Sequence, residues 1–123
     1  MANILLIDDD PDITDAGRLV LERAGHKVTT ASSAETGLAA VRKAVPDLMV
    51  LDIMMDGPDD GILLARQLRK DGFRFPIIAL TSISKVTGRE YDRDDEMLPV
   101  DDFVAKPIYP AILVEKVNKL LGS

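Results

Sequence analysis

Ile4-Leu5-Leu6-Ile7-Asp8-Asp9-Asp10-Pro11-Asp12 passes abruptly from four aliphatic residues to four carboxylates around one proline. A short apolar run with so sharp a polar limit has the pattern of a strand buried on both faces and ending at a polar edge. Carboxylates crowded at a strand end repel one another unless water or a cation lies between them. This edge is therefore a candidate site for a hard divalent ion. Asp10 and Asp12 have another use, because they precede a helical pattern and suit its cap and first turn, where the dipole favours negative charge. Asp8 and Asp9 are left to the edge.

The pattern recurs further along the chain. Leu48-Met49-Val50-Leu51 runs into Asp52, Pro76-Ile77-Ile78-Ala79-Leu80 into Thr81-Ser82, and Asp102-Phe103-Val104-Ala105 into Lys106-Pro107. Lys27-Val28-Thr29-Thr30-Ala31 is a further, β-branched run. Helical spacing of apolar residues predicts helices over 12–24, closed by Gly25, and from a Ser32 or Ser33 cap through Ala44. Two more are predicted from Ile62 to a stop at Asp71-Gly72, and over 110–121. Strands alternating with helices imply an α/β fold with a parallel sheet. Right-handed crossovers leave few windings, and five strands suit a flavodoxin-like doubly wound sheet of order 2-1-3-4-5 with helices on both faces.

Composition narrows the chemistry. The 123 residues form one domain, 1–123, with 46% hydrophobic and 29% charged residues, as expected of a soluble protein in the cytoplasm. No apolar run approaches the roughly 20 residues that span a bilayer, so no membrane partner is expected. A net charge of −6 argues against direct nucleic acid binding. The absence of cysteine excludes thiolate metal sites, and with His26 as the only histidine a His-based zinc site or a Ser-His-Asp triad has little to work with. Carboxylates, hydroxyls and lysine remain.

In an open α/β sheet the site lies beyond the strands' C-terminal ends, where the winding reverses. The proposed order brings Asp8, Asp9 and Asp52 together there, with Thr81 and Lys106 on the next strands out. Close carboxylates suit Mg²⁺, and a carboxylate can attack phosphorus to form an aspartyl-phosphate. Phosphoryl transfer needs positioning and charge neutralisation, which the metal and Lys106 would supply.

At these residues the sequence resembles the receiver domain of two-component response regulators. The resemblance rests on Ile7-Asp8-Asp9, on Asp52 after its apolar run, on Ala79-Leu80-Thr81-Ser82 and on Ala105-Lys106-Pro107, and covers nearly the whole chain. It implies that Asp52 accepts a phosphoryl group from a sensor histidine kinase or a His-containing phosphotransfer protein. It implies a Mg²⁺ site made by Asp9, Asp52 and the Met54 main-chain carbonyl, assisted by Asp8. Lys106 would contact the phosphoryl group, and Thr81 and Phe103 would form the switch pair. Such a chain promotes only its own phosphorylation and dephosphorylation, and is not expected to be an enzyme for an outside substrate. Met54 and Ile83, which in the family flank the path of hydrolytic water, are both apolar, and slow self-dephosphorylation follows as an expectation. The output protein or domain is not specified, and a receiver ending near Ser123 either works alone through protein contacts or belongs to a longer chain.

Two features depart from the family pattern. Met55 is followed by Asp56, with proline delayed to Pro58, where the family usually has Met-Pro. Residues 85–100 replace an amphipathic helix with a polar stretch rich in Asp, for which a short helix or an ordered loop is expected. Three other readings compete. Asp10-Pro11-Asp12-Ile13-Thr14 fits the D-x-D-x-T string of haloacid-dehalogenase-type phosphatases, although it begins past the strand end. Asp8, Asp10 and Asp12 alternate like a calcium loop, but Ile13 and Leu19 stand where Gly and Glu are needed. A degenerate receiver would act only as a binding module.

Overall fold

The computed structural model describes residues 2–53, 60–82, 100–106 and 108–122. In chain order these form β1 (Asn3–Ile7), α1 (Pro11–Arg23), β2 (Lys27–Ala31), α2 (Ala34–Lys43) and β3 (Leu48–Asp52). They continue as α3 (Asp60–Lys70), β4 (Ile77–Ser82), β5 (Asp102–Lys106) and α4 (Pro110–Leu121). All strand pairs are parallel, in the order β2-β1-β3-β4-β5 that the sequence predicts. The region 85–99, for which a short helix or loop is expected, lies outside the described residues, as do Met54, Met55, Asp56, Pro58 and Ile83.

Burial follows strand position. β3, in the middle, is buried throughout, and β1 is buried from Ile4 onward. Edge strand β2 exposes Lys27, Thr29 and Thr30, which explains why its sequence is polar while the inner runs are aliphatic. Alternation along the strands sorts the core into two clusters. Ile4, Leu6, Val50, Leu80 and Val104 pack with Leu21 of α1 and Leu113 and Val117 of α4. Leu5, Ile7, Met49, Leu51 and Ile77 pack with Val41 of α2 and Leu64 and Leu68 of α3.

The helix starts are set by local chemistry. Asp10 caps α1, its Oδ1 accepting the Asp12 N–H at 2.9 Å, and Pro11 follows where a missing N–H costs nothing. Ser33 caps α2 in a box, Ser33 Oγ accepting the Thr36 N–H and Thr36 Oγ1 the Ser33 N–H, both at 3.1 Å. The start of β5 is gripped from two sides. Asp101 donates its N–H to the Ile77 carbonyl at 2.8 Å, and its Oδ2 accepts the Ile77 N–H at 2.8 Å. That same carboxylate pairs with Arg69 of α3 at 3.2 Å, and Arg69 also donates to the carbonyls of Phe73 and Phe75.

Gly61 sits where α3 returns over the end of β3. A Cβ there would collide with the Ile53 Cα and the Asp52 carbonyl oxygen, and would lie 3.0 Å from the Asp52 carbonyl carbon. Backbone atoms cannot rotate aside as a side chain can, so α3 and the Asp52 main chain would have to separate. Gly61→Ala is expected to lower stability by about 1–3 kcal/mol, the usual range for overpacking. Urea unfolding should show an earlier midpoint at an unchanged slope, and a variant as stable as the wild type would disprove the tight approach.

Candidate functional site

The C-terminal ends of β1, β3 and β5 each supply a charged residue. Register aligns Ile7 with Leu51 and Asp52 with Leu80, so Asp8 and Asp52 end adjacent strands at matching heights. Asp8 continues the parity of Ile4 and Leu6, Asp52 that of Val50, and Lys106 that of Val104, which places all three on the α1/α4 side of the sheet. Asp8 and Asp52 are 1% and 3% exposed, whereas Asp9, one residue past Asp8, is exposed. Carboxylate oxygens of Asp8, Asp9 and Asp52 lie within 4.8 Å of one another.

Asp8 is held from several sides. Its N–H donates to the Ala31 carbonyl at 3.1 Å, and its Oδ1 accepts the Asp10 N–H at 2.9 Å. Its Oδ2 lies 2.9 Å from Lys106 Nζ, which is also 3.3 Å from Asp52 Oδ2. The Asp8–Lys106 contact is a close ion pair, but Oδ2 receives no hydrogen bond of good angle despite being buried. Burial opposes the charge on Lys106, yet the adjacent Asp8 carboxylate and the Asp52 charge outweigh it and hold the ammonium pKa above its ordinary 10.5. A raised lysine pKa stabilises the fold fully below 10.5, and that contribution fades only as pH climbs through the raised value.

Thr81, the penultimate residue of β4, is 1% exposed and aligns with Ala105 of β5. Phe103 is half-buried and aligns with Ala79, so it lies two positions back from Thr81 along the adjacent strand. Both follow the parity of Ile77, on the α2/α3 side. The sequence-predicted residues Asp8, Asp9, Asp52 and Lys106 are thus brought together, with Thr81 on the neighbouring strand end and Phe103 beside it. Met54 lies outside the described residues.

This donor set fits a hard divalent ion. It offers three oxygen ligands, two of them buried, against one ammonium, and it includes a buried oxygen without an aligned hydrogen bond. Asp10 and Asp12 are absent from the cluster. Asp10 is committed to its capping bond, which removes both the D-x-D-x-T nucleophile and the calcium-loop alternation from the site. Sequence reasoning missed the neighbouring wall of hydroxyls from Thr14, Thr30 and Ser32. The signal was present in the winding, because β2 borders β1 and its end must lie beside Asp8 and Asp9.

Residues 4–118 match the family of the response regulator receiver domain. The chain is 39% identical over 125 aligned residues to the transcriptional regulatory protein AfsQ1 of Streptomyces coelicolor, covering 98% of this chain and 52% of that protein. It is 37% identical to the alkaline phosphatase synthesis transcriptional regulatory protein PhoP of Bacillus subtilis, over 96% of this chain and 48% of that one. The chain therefore spans about half the length of these curated relatives. Among solved structures, the chemotaxis protein CheY4 of Vibrio cholerae superposes with a TM-score of 0.87 at 25% identity, over 98% of each chain. A two-component response regulator from Clostridium difficile gives 0.83 at 28% identity, over 99% of this chain and 97% of that one. With that match over residues 4–118 and relatives 39% and 37% identical over nearly its whole length, the chain belongs to the response regulator receiver domain family.

Proposed function

We propose that this receiver takes a phosphoryl group onto Asp52 from a phosphohistidine, in a Mg²⁺-dependent reaction, and that the modified site alters a protein-interaction surface. The observation that carries this reading is the buried Asp52 carboxylate, 3.3 Å from the Lys106 ammonium and within the ligand cluster of Asp8 and Asp9. An Asp52 oxygen attacks phosphorus in line as the P–N bond of the donor breaks, and the imidazole leaves with the electron pair. Lys106 stays protonated throughout and neutralises a phosphoryl oxygen as charge builds there. Asp9 and Asp52, with the Met54 carbonyl, would hold Mg²⁺, and Asp8 would assist from its fixed orientation. When bound, the metal supplies charge neutralisation for the remaining phosphoryl oxygens.

Thr81 is assigned to hydrogen-bond the phosphoryl group, with Phe103 moving in response. The pair lies on the sheet face opposite Asp52, so the event at the strand ends would be relayed across the edge of the sheet. The donor is a sensor histidine kinase or a His-containing phosphotransfer protein, both met in the cytoplasm. The chemistry is confined to the chain's own carboxylate, with no outside substrate turned over. Where the receiver is joined to a further domain, the names of its curated relatives support transcriptional control as the output.

Incubation with Mg²⁺ and acetyl phosphate should add one phosphoryl group to the wild type, read by intact mass, and none to Asp52→Asn. Normal labelling of Asp52→Asn would overturn the acceptor assignment, and an unlabelled wild type would make the chain a binding module. Once formed, the phosphoryl group should persist well beyond seconds, because Met54 and Ile83 are apolar. Decay within seconds, followed after removal of the donor, would refute that expectation.

A further inference from the structure

The acidic cluster borders a cavity of about 520 Å³ between the ends of β1 and β2 and the first turns of α1 and α2. Asp8 and Asp9 form one wall, and hydroxyl-bearing residues, Thr14, Thr30, Ser32 and Thr36, form much of the rest. Among the described residues, no lysine or arginine lines it. The cavity, with two carboxylates in its wall and the Lys106 ammonium paired with one of them, Asp8, disfavours a second anion. It does suit water polarised by a metal. Mg²⁺ gives up its water reluctantly and keeps several when protein carboxylates bind it. Each retained water directs hydrogens outward, and these need acceptors.

The hydroxyls differ in what they have left to offer. Thr36 Oγ1 is used up in the α2 cap, where it bonds the Ser33 N–H, Oγ and carbonyl. Thr14 Oγ1 donates its single hydrogen to the Pro11 carbonyl at 3.1 Å. Its lone pairs therefore remain, and toward the cavity it can only accept. Ser32 is exposed at the end of β2, with its hydroxyl able to turn as an acceptor. We infer that Thr14 and Ser32 accept hydrogen bonds from metal-bound water and so act as outer positioning residues for the hydrated ion. This rests on the Mg²⁺ reading above.

Calorimetric titration with MgCl₂, without any phosphodonor, tests both. Thr14→Val should weaken Mg²⁺ binding about five-fold, the effect of losing one hydrogen bond of ordinary net strength. Thr14→Ser should keep wild-type affinity, and adding Ser32→Ala to Thr14→Val should weaken binding further. Thr14→Val also loses the Thr14–Pro11 bond, so a small fall in unfolding temperature without metal is expected, and titrations run well below that temperature separate loss of a water acceptor from loss of fold. Wild-type affinity in the Thr14→Val, Ser32→Ala double variant would overturn the inference while leaving the metal site intact. Absence of saturable Mg²⁺ binding by the wild type would overturn the Mg²⁺ reading itself, and the inference with it.

Discussion

Two buried carboxylates on adjacent strands, Asp8 and Asp52, are held beside one ammonium that arrives from the far edge of the sheet. Strands lie about 4.8 Å apart, so β5 is about 10 Å from β3 and about 14 Å from β1. A long, flexible side chain is needed to close much of that span, the carboxylates reaching from the other end, and lysine supplies it with a point charge at its tip. Uncompensated, the two carboxylates would repel each other in a region where water cannot screen them. Lys106 relieves that repulsion by pairing with both carboxylates. The cluster keeps more negative than positive charge.

Most of this was legible because inner and edge strands differ in what they must bury. β1, β3 and β4 are enclosed on both faces and read as unbroken aliphatic runs, each with a polar residue at its limit. β2, at the edge, could be polar and was still recognised by its β-branched residues. Asp10 and Ser33 carried their own cap chemistry in the sequence, and the structure bears out both. What could not be read was the reach of long side chains. Spacing placed Lys106 at the right edge, but nothing in spacing says that its ammonium lies closer to Asp8 than to Asp52. The difference between Asp8 and Asp9 was equally hidden. They are neighbours in sequence, and only the turn into α1 buries one and exposes the other.

The sheet also separates the two halves of the site. Asp8, Asp52 and Lys106 follow the parity of the α1/α4 side, whereas Thr81 and Phe103 follow that of the α2/α3 side. They meet only at the strand ends, where the sheet stops. Gly61 brings α3 directly against the Asp52 main chain there, so the helix on one face is coupled to Asp52 through backbone contact.

The double grip on Asp101 fixes the start of β5. Its main chain and carboxylate both hold Ile77, and Arg69 of α3 holds that carboxylate in turn. Entry into β5 is thereby indexed to β4 and α3, elements that precede residues 83–99 in the chain. The register that delivers Lys106 to the acidic edge thus has its own anchor. Substitutions between β4 and Asp101 leave Ile77, Arg69 and Asp101 themselves untouched, and the larger of the two departures from the family pattern, residues 85–100, falls in that interval.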